Sequence, residues 1–255
     1  MKKLVFAILL SLFILPETVF GQAQETKLVV RAKAQDAKFI GSSMGGAFVV
    51  VKNTETGEIL AKGKTIGSTG DTQQIMNTPK TRDLQLSTPG AAKFETTLQL
   101  DEPTFVTIEV TAPYAQAQSH VTSSTQLWMI PGKDITGDGV LLEIPGFAVD
   151  VLSPQAHEVT SLKKISIEAN LVMMCGCPTS PGGMWNSDEY EIRALIAKEG
   201  HQVASVPLTF AGKTSTFEGD FTPKESGAYQ ITVYAYHPET GNTGVDKTTV
   251  IFSGE

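Results

Sequence analysis

Apolar residues in this chain recur at every second position within short segments, and polar turn residues separate the segments. In "TFVTIEV" (104–110), Val106, Ile108 and Val110 fall on one side, while Thr107 and Glu109 fall on the other. A period of two marks a strand with one buried face. "KLVVRAK" (27–33), "GAFVVVK" (46–52) and "KFETTLQL" (93–100) have the same β-branched and aromatic character, and "NTETGE", "GSTGD" and "DEPT" between strands are turn chemistry. A long polar stretch, roughly 63 to 91, carries no strong strand and is expected to decorate the first unit.

The pattern starts again later in the chain. "GFAVDVLSP" reads as the close of a first unit, and "LSPQAHEVTS" (152–161) as a short linker. A second series follows in "KISIEANLVMM", "YEIRALIAK", "ASVPLTFAG", "TFEGDFTP", "GAYQITVYAYH" and "DKTTVIF". The expectation is an all-β chain of two tandem antiparallel β-sandwiches, residues 24–151 and 162–255, joined by 152–161.

Before the first strand the chain reads Met1-Lys2-Lys3, then "LVFAILLSLFILP", then "ETVFGQAQ". A basic start, a short apolar run and small residues at its exit form a secretory signal, residues 1–23, with cleavage after Ala23 or Gly21. The run is shorter than the ~20 residues a membrane span needs. The expected location is periplasmic or extracellular. The chain holds 20 Lys and Arg against 27 Asp and Glu, a formal charge of −7. That balance argues against nucleic acid and anionic membrane as partners. With only two cysteines, stability must come from packed cores rather than a disulfide scaffold.

"ESGAYQITVYAYHPETGNTGVDKTTVIF" resembles the last two strands of bacterial immunoglobulin-like or fibronectin-III-like domains. Gly227-Ala228-Tyr229 sits where such domains carry a tyrosine corner, and "ETGNTG" where they carry the final hairpin loop. "GGAFVVVKNTETGEILAKGKT" is similar to transthyretin-like and carboxypeptidase-regulatory-like modules. The resemblance implies sandwich architecture and no activity, since such folds host many functions.

The stretch with the most distinctive chemistry is "LVMMCGCPTSPGGMW" (171–185), which contains both cysteines, three of seven methionines and one of two tryptophans. If the strand continued, Leu171, Met173, Cys175 and Cys177 would share a face at a sandwich tip, where binding loops are presented. Three readings compete. The methionines and Trp185 can be core, with the cysteines in a disulfide. An extended strand holds i and i+2 Cα atoms near ~6.5 Å, against a preferred ~5.5–6 Å, so the ring must bend, which Gly176 and Pro178 allow. The stretch can instead be a soft-metal site: Cys175 and Cys177 as thiolates for Cu(I), Met173, Met174 or Met184 as third ligand, and Trp185 over the ion. The third reading is an exchanging redox pair, although no helix follows to lower a thiol pKa.

Elsewhere, "DITGDG" (134–139) resembles half a calcium loop but lacks a glutamate at the closing position, so it reads as a tight Asp/Gly turn. "GSSMGG" (41–46) fits no catalytic or phosphate-binding pattern and reads as a flexible loop. The four histidines lack metal spacing, and His237 reads as a solvated hairpin residue. No nucleophile–base pair stands out. The leading expectation is an exported non-enzymatic binding protein with a Cu(I) site in its second unit. The alternative is an interaction module of an envelope or extracellular assembly, with a Cys175–Cys177 disulfide and another envelope protein as partner.

Overall fold

The structure, a computed structural model, describes residues 22–161 and 163–254. The expected export signal falls almost wholly outside them. The first seven strands are β1 (Gln24–Ala34), β2 (Phe48–Asn53), β3 (Ile59–Lys64), β4 (Phe94–Leu100), β5 (Thr104–Ala112), β6 (Val121–Met129) and β7 (Ile135–Ile144). They form two sheets, ordered β4-β1-β7 and β3-β2-β5-β6. The period of two in β5 holds: Val106, Ile108, Val110 and Ala112 are fully buried. Each large side chain among them contributes about 1.5–3 kcal/mol over an exposed position.

The remaining strands are β8 (Phe147–Ser153), β9 (Glu158–Thr160), β10 (Ile165–Met173), β11 (Glu191–Lys198), β12 (His201–Pro207), β13 (Thr209–Phe210), β14 (Thr216–Phe221), β15 (Gly227–Tyr236) and β16 (Thr243–Phe252). Their sheets are ordered β13-β14-β10-β8 and β12-β11-β15-β16-β9. The chain is thus an all-β tandem of immunoglobulin-like sandwiches. Most ladders are antiparallel, but β1–β7 and β16–β9 are parallel. The tyrosine corner is present: the Tyr229 hydroxyl donates to the Glu225 carbonyl at 2.7 Å, and the residue is buried. The "ETGNTG" loop joins β15 to β16 as expected.

The boundary between sandwiches differs from expectation. β8, which the sequence reading places at the close of the first unit, ladders with β10, Val149 opposite Leu171 and Phe147 opposite Met173. Nor is 152–161 a linker. It contains β9, which pairs with β16, and the His157 N–H donates to the Thr249 carbonyl at 2.9 Å. The chain crosses between sandwiches at Pro145 and Gly146, between the last residue of β7 and the first of β8. One connected cluster of buried apolar residues runs through both sandwiches, from Leu28 to Val250.

The long polar stretch holds only a single turn of helix, Gln73–Asn77, and isolated bridges such as Ile66–Lys93. It lies over the outer face of β1, where Val29, Arg31 and Lys33 are all buried. A small satellite core of Phe39, Ile75, Ala91 and Ala92 sits beneath it. The "DITGDG" segment is part of β7 rather than a free turn. The β1–β7 register slips there, from Leu28–Ile135 to Val30–Val140, and Gly137 and Gly139 take positive φ of 72° and 67°. Its two aspartates serve separate backbone groups. Asp134 accepts from the Lys27 N–H, while Asp138 accepts from the Leu86 and Ser87 N–H groups.

Candidate functional site

The sulfur stretch begins where β10 ends. Ile165, Ile167, Ala169, Leu171 and Met173 point inward along that strand. The chain then turns sharply. The Met173 carbonyl accepts from the Gly176 N–H at 2.7 Å, and the Met173 N–H donates to the Cys177 carbonyl at 3.0 Å. Residues 174–176 are therefore a three-residue hairpin loop whose last position, Gly176, sits at φ 78°. This loop type needs a left-handed residue there, and glycine adopts it without strain. Val172 then faces Pro178 as a bridge pair. The returning chain is fastened from the side, with the Thr179 hydroxyl donating to the Leu171 carbonyl at 2.7 Å and the Ser215 N–H to the Thr179 carbonyl at 2.9 Å.

This bend resolves the geometric difficulty of the short ring. Cys175 and Cys177 form a disulfide with Cα atoms 5.4 Å apart, close to the preferred spacing. Met173, Met174 and Cys175 are each 1% exposed, Cys177 4% and Trp185 7%. Met184 lies apart from them at 52% exposure. The six residues singled out in the sequence therefore divide: five join the core and one faces solvent.

The tip of the hairpin is covered by the other sandwich. A Cβ at Gly176 would lie 2.7 Å from the Met44 sulfur, so the loop backbone rests on that side chain. Met44 belongs to "GSSMGG", which is a turn of 3-10 helix, Ser42–Met44. The Trp185 indole N–H donates to the Asp36 carbonyl at 2.9 Å. Gln35 donates to the Thr240 carbonyl at 3.0 Å, and the Gly146 N–H to the Asn242 side chain at 2.7 Å. Gln118 reaches the Val149 carbonyl at 3.2 Å. Tyr190 packs between Phe147 and His237, with both ring centroids 4.9 Å away. Burial pushes the Tyr190 hydroxyl up to about 12, with the Asp36 and Glu189 charges adding to the effect, so it is neutral here. His237, expected in solvent, is 5% exposed, with Nδ1 paired to the Thr240 hydroxyl at 2.9 Å. The 237–242 turn folds against the joint, which buries it.

These facts fix what the stretch can do chemically. Sulfurs joined to each other offer no thiolate as ligand or nucleophile. Thiol–disulfide exchange needs access to a sulfur, and both cysteines are buried. Among the described residues no group of three or more His, Cys, Asp or Glu converges as a metal site. The residues that seat the hairpin, Asp36 and Met44, lie more than a hundred positions upstream and carry no local signal for it.

A second constellation escaped sequence reasoning. The Arg31 guanidinium donates to the Ala91 and Ala92 carbonyls, both at 2.8 Å, and to the Gly137 carbonyl at 3.3 Å. Burial lowers its pKa, against the raising influence of Asp138 and Glu95. For Asp138, burial raises the carboxyl. Hydrogen bonds from Ser87 and the Leu86 N–H, with the Arg31 charge, outweigh that and hold it below its usual value. Arg31 and Asp138 together clamp the long stretch onto the first sandwich.

No family model matches the chain, and no curated relative matches it. Among solved structures it is similar to fibronectin(III)-like modules of Clostridium thermocellum CbhA, at 11% identity and TM-score 0.29, covering 94% of this chain and 93% of that one. It is likewise similar to the Dpr2 Ig1–Ig2 complex structure, at 11% identity and TM-score 0.29, covering 89% and 100%. An engineered protein aligns over 49% of this chain at 15% identity and TM-score 0.33, and the chain spans 24% of its length. The fold assignment rests on the strand ladders described above. Among the described residues no helix is long and apolar enough to cross a membrane.

Proposed function

We propose that the chain is an exported, non-catalytic interaction module, a rigid tandem of two sandwiches that presents its outer faces within a cell-envelope or extracellular assembly. One observation carries this reading: the most reactive chemistry of the sequence is spent on the joint. The sulfur hairpin is closed by its own disulfide and packed under Met44, and Trp185 is bonded across to Asp36. A two-residue crossing at Pro145 and Gly146 leaves no linker to flex. The apolar run after Lys3 supports export, and a disulfide is at home in that compartment. Partners are then other envelope or extracellular components, met by surfaces away from the joint.

We propose a second reading for the reduced protein. Opening the ring would return two thiols beside Met173 and Met174, a soft donor set suited to Cu(I). Intact mass of the secreted protein, native and denatured, with thiol alkylation, separates the two. The module reading expects a metal-free mass two hydrogens light and no alkylation until reductant is added. A native mass raised by one copper, with both thiols alkylated after stripping, would replace it with a metal-binding function.

A further inference from the structure

The outer face of the β5–β6 pair carries two rows of mostly hydroxyl and amide side chains that end in an aromatic pair. Along β6, Thr122, Ser124, Gln126 and Trp128 all point outward and are exposed. The ladder sets Thr111, Glu109, Thr107 and Phe105 beside them in turn. Trp128 is 56% exposed, and its ring is held 5.1 Å from that of Phe105, so a large indole surface is fixed in water without apolar cover. The hydroxyls and amide are ordered among themselves. Gln126 donates to the Thr107 hydroxyl at 3.0 Å, Thr111 and Thr122 share a bond of 2.8 Å, and so do Thr54 and Thr107. The one acidic group in the strip, Glu109, is neutralised by Lys52 at 2.6 Å.

We propose that this face binds an unbranched, uncharged or weakly charged polysaccharide, with Trp128 as its stacking platform. The C–H face of a pyranose ring packs on an exposed aromatic plane, and its equatorial hydroxyls exchange hydrogen bonds with neutral hydroxyl and amide side chains. The row from Trp128 to Thr122 spans about 20 Å at strand rise, room for several sugar units. The charge pattern selects against other occupants. Nucleic acid needs uncompensated cations along the track; in these two rows the one charge, Glu109, pairs with Lys52, and the exposed Lys62 and Lys64 stand on β3, two strands from β5. A second protein would favour a continuous apolar patch, whereas beyond Trp128 and Phe105 the two rows carry hydroxyls, one amide and the Glu109 carboxylate paired to Lys52. The strip begins beside the joint, where Gln118 and Ser119 meet Val149, and runs along β6 away from it to Trp128, which is exposed. The proposal names a partner for the interaction module and rests on that reading. Loss of saccharide binding would leave the disulfide and the joint untouched, so the two fail separately.

The test is cosedimentation of the disulfide-intact protein with peptidoglycan sacculi, chitin and cellulose, with the tryptophan emission followed on binding. The expected result is retention on at least one of the three. Trp128→Ala should weaken retention by about tenfold or more, the scale of an aromatic anchor, and Gln126→Ala should weaken it by a smaller factor. Both variants should keep the wild-type unfolding midpoint, since each side chain is exposed. Wild-type binding should also perturb tryptophan emission, and Trp128→Ala, which retains only the buried Trp185, should lose that response. Absence of retention on all three materials would overturn the proposal. So would Trp128→Ala or Gln126→Ala retained as well as wild type, or a Trp128→Ala phenotype confined to self-association in sedimentation velocity.

Discussion

Two stretches of this chain are mostly irregular backbone, and the molecule fastens them by opposite means. The sulfur hairpin, 171–185, is held by apolar burial, a disulfide and one indole hydrogen bond across the joint. The long stretch over β1, roughly 65–93, is held by charge: Arg31 on three carbonyls and Asp138 on two N–H groups, over a small apolar cluster. The bonds of the first fastening named above involve no ionised group, so it should respond little to acid or salt. The second depends on a cation and a carboxylate staying charged while partly buried. A chain can therefore immobilise irregular backbone by packing or by polar satisfaction, and the two make different predictions.

The largest effect should come from the joint. Trp185→Ala removes a buried indole and orphans the Asp36 carbonyl, and should cost about 3–5 kcal/mol in denaturant unfolding. A cost under about 1 kcal/mol would mean that the joint does not contribute to folding. On the polar side, Arg31→Met leaves the Ala91 and Ala92 carbonyls without their donor, and should cost about 1.5–3 kcal/mol. Its signature should be local, with faster amide exchange in 85–92 and little change in β15 and β16.

How much of this was legible in the sequence follows from the range of the interactions. Strand character is local, so β5, β10 and β15 could be read from alternation, and the Tyr229 corner from its own neighbourhood. Sheet membership is not local. "FAVDVLS" has the same apolar content whichever sandwich it joins, and only its ladder with β10 decides. The sulfur stretch announced itself by composition, but its burial comes from Met44 and Asp36, far upstream. Arg31 and Lys33 alternate with apolar residues, which reads as a solvated face. They are buried because 65–93 folds back over them, an event that no periodicity encodes.

Smaller effects sharpen the same contrast. Reducing the disulfide reopens a ring of three residues, and the chain-entropy account gives a loss of about 1–2 kcal/mol. The reduced protein should stay folded, with a lowered denaturation midpoint. Acid should act on the other stretch. The Asp138 carboxyl is depressed in the folded chain, so its contribution is fully present above the unfolded value, about 3.9. It is lost as pH falls through the lower folded value. Protection of the Leu86 and Ser87 amides should fall in that acid window, Asp138→Asn should remove the dependence, and the hairpin amides of Gly176 and Cys177 should show none of it. At the small end, Met184→Ala at an exposed position should change stability by less than about 0.5 kcal/mol.

Seated on Met44 and bonded to Asp36, the sulfur hairpin is expected to make one cooperative body of the two sandwiches. Scanning calorimetry of the disulfide-intact protein decides this. The shared core predicts a single transition whose calorimetric and van't Hoff enthalpies agree. Two resolved transitions, each with the enthalpy of one sandwich, would contradict it and leave the hairpin as the private core of the second.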